Sequence, residues 1–428
     1  MYEGDASEMV DIFRFAAVCP GPDLAPRVAA VPYDVVTRDE AAASIRDNPF
    51  CFLRVSRADA GLPGVSASDE RVYARARETF ESFLREGILS RDRTPGMYLY
   101  RVTGNGNDFL GLACTVATRD YEENTIRRHE LTRVEKEEDR TRHIDAVNAH
   151  TGPVVLLYVD RNGLAAFLDS LWEKTGRVDL EVRAPDGTVH RIMRVTADAD
   201  LAALEEAFAA VPRLYIADGH HRAKSAVNVA GKRKVEGRLT PEATRFLGVL
   251  FPHNGVKIHG YSRLVSDLSG MTPEEFLGRL SERFSVEPRG EVDARAFHIP
   301  PLRVPAGAFH VFHVFLGGKW YECSRPRENG ADVIASLDVS VLQREVLEPL
   351  LGIKDPRRDP RLQYLGGARP LADLMAMVLS GDYAVAFAMQ PVQVETVLAI
   401  ADAGGIMPPK STWFEPKLLS GLVVHTLD

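Results

Sequence analysis

The residues best suited to chemistry in this chain are Asp218-Gly219-His220-His221-Arg222. They stand between an apolar run, Leu214-Tyr215-Ile216-Ala217, and an amphipathic segment that begins near Ala223. A helix starting there presents unpaired N–H groups and the positive end of its dipole, which suits a phosphate. Gly219 lets the backbone approach such a ligand closely, and Arg222 adds a two-pronged clamp. Asp218 is a candidate helix cap, metal ligand or catalytic carboxylate. A capped helix with surface histidines gives the same pattern, so spacing alone leaves both readings open. Neighbouring residues on a helix diverge by about 100°, so His220 and His221 do not make a two-histidine metal site.

A second set is His129, Arg133, Lys136, Arg140 and His143, separated by four, three, four and three residues. On one helix over about 122–149 these positions make a single basic stripe, with most carboxylates off it. A one-sign stripe points to an anionic ligand or an acidic partner surface; a solvated, salt-bridged helix is the other reading. Glu130 beside it is a candidate carboxylate. The stretch is no HExxH zinc motif, because Arg133 stands where the second His is needed. A third set, Gly404 to Thr412, differs from a phosphate-binding GxxxxGK[ST] loop in having Pro409 for the second Gly. Proline has no N–H to give a phosphate and cannot take positive φ, so this is not a Walker loop. Lys410, Ser411 and Thr412 remain candidates for side-chain contacts to phosphate.

The elements that must position these residues are mixed. Glu70 to Glu86 predicts a helix with Val72, Ala76, Phe80, Phe83 and Leu84 on one face. Met97 to Val102 and Phe109 to Ala117 predict a hairpin, as do Leu180 to Arg183 with Thr188 to Val195. Cys51 to Val55, Val154 to Val159 and Phe246 to Phe251 read as strands. After Ser269-Gly270 the pattern starts again, with a hairpin through Gly317-Gly318 and helices near 338–350, 371–379 and 394–402. The whole predicts an α+β chain of two domains, 1–267 and 268–428, the second read as α/β, with the 404–417 loop returning to the site.

Composition bounds the function. The chain has 428 residues, 52 Lys+Arg against 60 Asp+Glu and 45% hydrophobic residues. That much apolar surface offsets chain entropy, so disorder as the main state is excluded. The net charge of −8 argues against a general nucleic-acid binder. No apolar run approaches the ~18–20 residues of a spanning helix. The start, Met1-Tyr2-Glu3-Gly4-Asp5, is not a secretory signal, and four isolated cysteines argue against zinc or a disulfide framework. A cytoplasmic protein with neither a membrane nor a nucleic-acid partner is expected.

Several segments together carry a resemblance that runs over nearly the whole chain. They are Val31-Pro32-Tyr33-Asp34-Val35-Val36, Asn48-Pro49-Phe50, His129 to Thr132 with Asp139 to Ile144, Asn148-Ala149-His150-Thr151-Gly152-Pro153, Asp218 to Arg222, and Met407 to Phe414. In this order they resemble the bacterial "domain of unknown function 1015" proteins, often labelled chromosome-partitioning or ParB-like. The resemblance implies a ParB/sulfiredoxin-like N-terminal core in which a Gly-x-x-Arg turn grips nucleotide phosphates. Here that turn is Gly219, His220, His221 and Arg222. Shorter relatives are free-serine kinases that use ADP or ATP. By resemblance, then, the expected activity is a nucleotide-dependent kinase acting on a hydroxyl metabolite, free L-serine first, with Mg²⁺ as the usual companion. Asp218, Asp34 and Glu130 are the candidate catalytic carboxylates; Arg133, Lys136, Arg140 and Lys410 are further phosphate clamps. The alternative is a nucleotide-binding regulatory protein of the same fold that does not turn over and does not bind DNA.

Overall fold

In the computed structural model the described residues are 9–302, 306–328 and 330–428. They divide into two compact units, one up to Val256 together with Pro416–Asp428, the other Lys257–Glu415. The expected boundary near 267 differs from this in two places. Residues 257–267 supply strands to the second unit, and the last thirteen residues join the first.

The first unit is built on a nine-stranded mixed sheet. The hairpin Met97–Gly104 and Asn107–Ala117 lies at its middle, with Gly104 opposite Asn107. Asn105 and Gly106 both have positive φ, 53° and 75°, the turn whose twist matches the flanking strands. Arg245–Pro252 pairs antiparallel with Asn107–Ala117 and parallel with Val154–Tyr158. Val154–Tyr158 in turn pairs antiparallel with Leu214–Asp218. All five residues of Val154–Tyr158 are buried, as expected for a strand covered on both faces. Leu112, Leu156, Leu168, Leu204, Phe208, Ile216 and Ala226 belong to the main core between sheet and helices. A second core gathers Val28, Phe52, Val72, Phe80, Phe83, Val147 and Val424 around the helix Glu70–Arg85.

Two expectations are corrected here. The charged segment 122–149 is not one helix. Thr118–Glu122 is a short helix, Asn124 takes φ 63°, and Ile126–Arg127 pairs parallel with Leu214–Tyr215 at the sheet edge. The helix proper is Val134–Val147, closed by Asn148 at φ 57°. Ladder hydrogen bonds at the edge override a helical composition that looked continuous. Residues Leu53–Ser56 are helical rather than extended. A five-residue run with four apolar residues does not decide between helix and strand. Here Arg54 decides it by donating to the carbonyls of Ile45 and Asn48.

The second unit holds a six-stranded sheet in the order Ser285–Arg289, Lys319–Pro326, Phe309–Leu316, Val385–Met389, Ser262–Val265, Leu362–Leu365. Every pairing is antiparallel. It is therefore α+β, where the sequence pattern had suggested α/β. Lys257–His259 pairs separately with Trp413–Glu415.

Candidate functional site

The strand Leu214–Asp218 runs directly into the helix His220–Val235 through Gly219, whose φ is 94°. A side chain at 219 would put its Cβ 3.1–3.2 Å from the Arg222 guanidinium, so glycine lets that guanidinium fold back over the turn. Arg222 donates Nη2 to Asp218 Oδ2 at 2.8 Å and Nη1 to the Pro153 carbonyl, while its Nε has no partner among the described residues. The other Asp218 oxygen accepts from Lys417 Nζ at 3.0 Å. Burial pushes the Asp218 carboxyl up, but Lys417 and Arg222 outweigh it and hold the group ionised, well below the usual carboxylate range. With both oxygens bound to cations, Asp218 is an anchor for the turn.

A second buried guanidinium faces the same space. Arg140 is ionically paired with Asp139 at 2.8 Å and lies 4.3 Å over the Tyr33 ring. Only 10% of the Arg140 side chain and 11% of the Arg222 side chain are exposed. The helices carrying them are fastened by Asp145, which binds Lys232 at 2.7 Å, Arg233 at 3.0 Å and Arg238 at 2.8 Å. Ser225 Oγ adds a bond to the Glu137 carbonyl. Arg140 and Arg222 thus line one partly open cavity with Tyr33, His143, His150 and Thr151, with about 20 Å³ of water-accessible space. Burial and then Asp34 push the Tyr33 phenol up to about 12, so it stays protonated as a donor. Burial and Arg140 push His143 down to about 3, and its Nε2 lies 3.0 Å from the Val55 carbonyl.

The remaining sequence candidates fall into three groups. Asp34 is exposed in the turn after Tyr33 and makes no ion pair or hydrogen bond among the described residues. Its charge acts on both Arg222 and His221. His221 accepts the Arg133 backbone N–H at Nε2, 3.1 Å, and feels Arg133 and Lys136, both exposed. Glu130 is half-buried in the loop before Arg133. His220 turns the other way. It packs edge-on against His129 at 4.6 Å, and both are buried and held neutral by that burial. The basic stripe is thereby corrected: His129 and Arg133 precede the helix, and Arg140 and His143 lie on its buried face rather than in solvent. Lys410, Ser411 and Thr412 belong to the second unit. There Lys410 takes φ 55° with Nζ 3.4 Å from Tyr261 Oη, and Ser411 Oγ donates to the Pro408 carbonyl at 2.6 Å.

Sequence reasoning missed Lys417, which is 199 positions from its partner Asp218. It also passed over His150 as a site residue, although that residue stands in a segment already singled out. Among the described residues no group of three or more His, Cys, Asp or Glu could hold a metal ion. The site therefore offers no protein cage for Mg²⁺; an ion carried on nucleotide phosphates and water needs none.

No curated protein matches the sequence. Among solved structures, the chain is similar to a free serine kinase in complex with AMP, at 15% identity over 71% of this chain and 86% of that one, TM-score 0.35. A conserved hypothetical protein from Pyrococcus furiosus aligns at 15% identity over 71% and 90%, TM-score 0.33. SbnI with a C-terminal truncation, from Staphylococcus aureus, aligns at 12% identity over 73% and 86%, TM-score 0.35. Residues 12–340 match the family described as protein of unknown function (DUF1015), well over half of the chain, and the chain belongs to that family.

Proposed function

We propose that this protein binds ADP or ATP at the 218–222 turn and transfers a phosphoryl group to a small hydroxyl metabolite. One observation carries the reading: two guanidiniums, Arg140 and Arg222, each about nine-tenths buried, face one cavity beside a helix start. Each is bonded to one carboxylate, Arg140 to Asp139 and Arg222 to Asp218. Two guanidiniums turned onto one cavity favour an anionic ligand, because both attract an anion placed there and can give it charge-assisted hydrogen bonds. Phosphoryl transfer needs such clamps and a carboxylate to take the hydroxyl proton. Asp34 suits that role better than Asp218, since its carboxylate is unpaired and near the turn. Free L-serine leads the acceptors by the sequence resemblance, and a non-catalytic nucleotide sensor is the alternative.

Calorimetry with ADP and ATP on wild type and Arg222→Ala tests the binding. Loss of a charge-assisted phosphate contact should weaken affinity about ten- to a hundredfold. Equal affinity in the two proteins sinks the assignment. Incubating wild type with nucleotide, Mg²⁺ and a panel of hydroxyl metabolites tests the transfer. Tight nucleotide binding without conversion of any acceptor replaces catalysis by sensing.

A further inference from the structure

Three residues remote in sequence form a hydrogen-bonded chain that ends in the same cavity. Glu242 opens a short turn before the strand Arg245–Pro252, and its Oε2 lies 2.7 Å from His425 Nε2. His425 Nδ1 lies 3.1 Å from His150 Nδ1, with the two rings stacked at 5.3 Å. Both imidazoles are buried, at 5% exposure for His150 and 1% for His425. His150 lines the cavity with Arg140 and Arg222, and its Nε2 has no hydrogen-bond partner among the described residues.

The order of protons along this chain follows from the groups themselves. An ionised carboxylate only accepts, so His425 Nε2 carries the hydrogen that faces Glu242. A neutral imidazole has one N–H, which leaves His425 Nδ1 bare. His150 Nδ1 must then donate to it, and His150 Nε2 is left as a bare acceptor. Burial keeps both rings from taking a second proton. Glu242 opposes this at His425, while Arg245 and Arg91 reinforce it there, and His425 and Arg233 reinforce it at His150. A buried acceptor without a donor is unfavourable in a finished fold and is a common mark of a ligand position.

Resting on the reading of this cavity as a ligand site, we propose that His150 is a specificity-determining residue. Its Nε2 accepts the hydroxyl hydrogen of a small anionic ligand whose charge is met by Arg140 and Arg222. Glu242 and His425 are positioning residues that fix its tautomer. The cavity is partly open and has room for a hydroxyl-sized group in about 20 Å³ of water-accessible space. A hydroxyl is favoured over an ammonium because two guanidiniums line the same walls.

The test uses the full chain with ¹⁵N-labelled histidine. Long-range ¹H–¹⁵N NMR should show wild-type His150 protonated at Nδ1 and bare at Nε2; a protonated Nε2 overturns the chain. Glu242→Lys places a donor-only group opposite His425, so the order should invert and His150 Nε2 should gain the hydrogen. An unmoved tautomer in the folded variant also overturns it. The ligand arm compares glycerate with lactate and L-serine with L-alanine, pairs that differ by one hydroxyl. Wild type should bind the hydroxylated member about tenfold more tightly, the ratio one neutral hydrogen bond supplies. In Glu242→Lys the ratio should fall to about one, and His150→Phe gives the same readout if the lysine variant does not fold. No discrimination in wild type overturns hydroxyl recognition at His150, and an ordered water is then the occupant. That outcome leaves the nucleotide reading to the Arg222→Ala calorimetry, whose failure would in turn leave the measured tautomer standing.

Discussion

Asp218→Asn separates an anchor from a base. The wild-type carboxylate holds Arg222 at 2.8 Å and Lys417 at 3.0 Å, with a quarter of its side chain exposed. The amide keeps the shape but removes the one charge that both cations bind directly. Breaking a buried pair by removing one partner costs about 3–5 kcal/mol. Partial solvent access lets Lys417 recover some hydration, so the lower end, about 3 kcal/mol, is expected at neutral pH. The pH dependence has a definite sign. The folded carboxyl is held below its unfolded value near 3.8, so its contribution is complete above that value and is lost as pH falls through the folded one. The gap between variant and wild type should therefore stay level from pH 7 to about 5 and close only in strong acid. Urea unfolding followed by circular dichroism across that range measures it. A loss below about 1 kcal/mol at pH 7, or a gap that closes between pH 7 and 5, refutes the anchoring role.

Asp34→Asn should lower turnover by about 10²–10⁴-fold while nucleotide affinity changes little, since Asp34 is exposed and holds no cation by a direct bond; nucleotide conversion against calorimetry reads the split. Gly219→Ala should cost about 1–2 kcal/mol from the positive φ alone and displace the Arg222 guanidinium, so a thermal melt and ADP titration should both worsen. Gly421→Ala should destabilise the fold by more than the same amount. It combines φ 84° with a Cβ that would sit 2.5 Å from the Phe52 ring, loosening the tail that carries Lys417 and His425; differential scanning calorimetry checks it.

Much of this molecule is local and so was legible in its sequence. Asn105-Gly106 sets the hairpin because both residues tolerate positive φ, whatever surrounds them. The helix Glu70–Arg85 follows from the period of its apolar residues and the Asp69 cap. The turn at Asp218-Gly219 follows from an apolar strand meeting a residue without a Cβ, and the divergence of His220 and His221 follows from helix geometry alone. What the sequence could not display is which charges meet. Arg140 and Arg222 share a cavity in a fold where a two-residue strand, Ile126–Arg127, interrupts the expected long helix and the chain becomes helical again at Val134–Val147. Asp218 finds Lys417 across 199 positions, and Glu242, His425 and His150 are joined across 183 and 275. Pairings at such separations leave no periodic trace, because each depends on where a strand edge or a C-terminal tail docks and not on any neighbour in the chain. Burial then decides their chemistry: the same aspartate or histidine that would titrate normally in water is held ionised or neutral by what the fold packs against it.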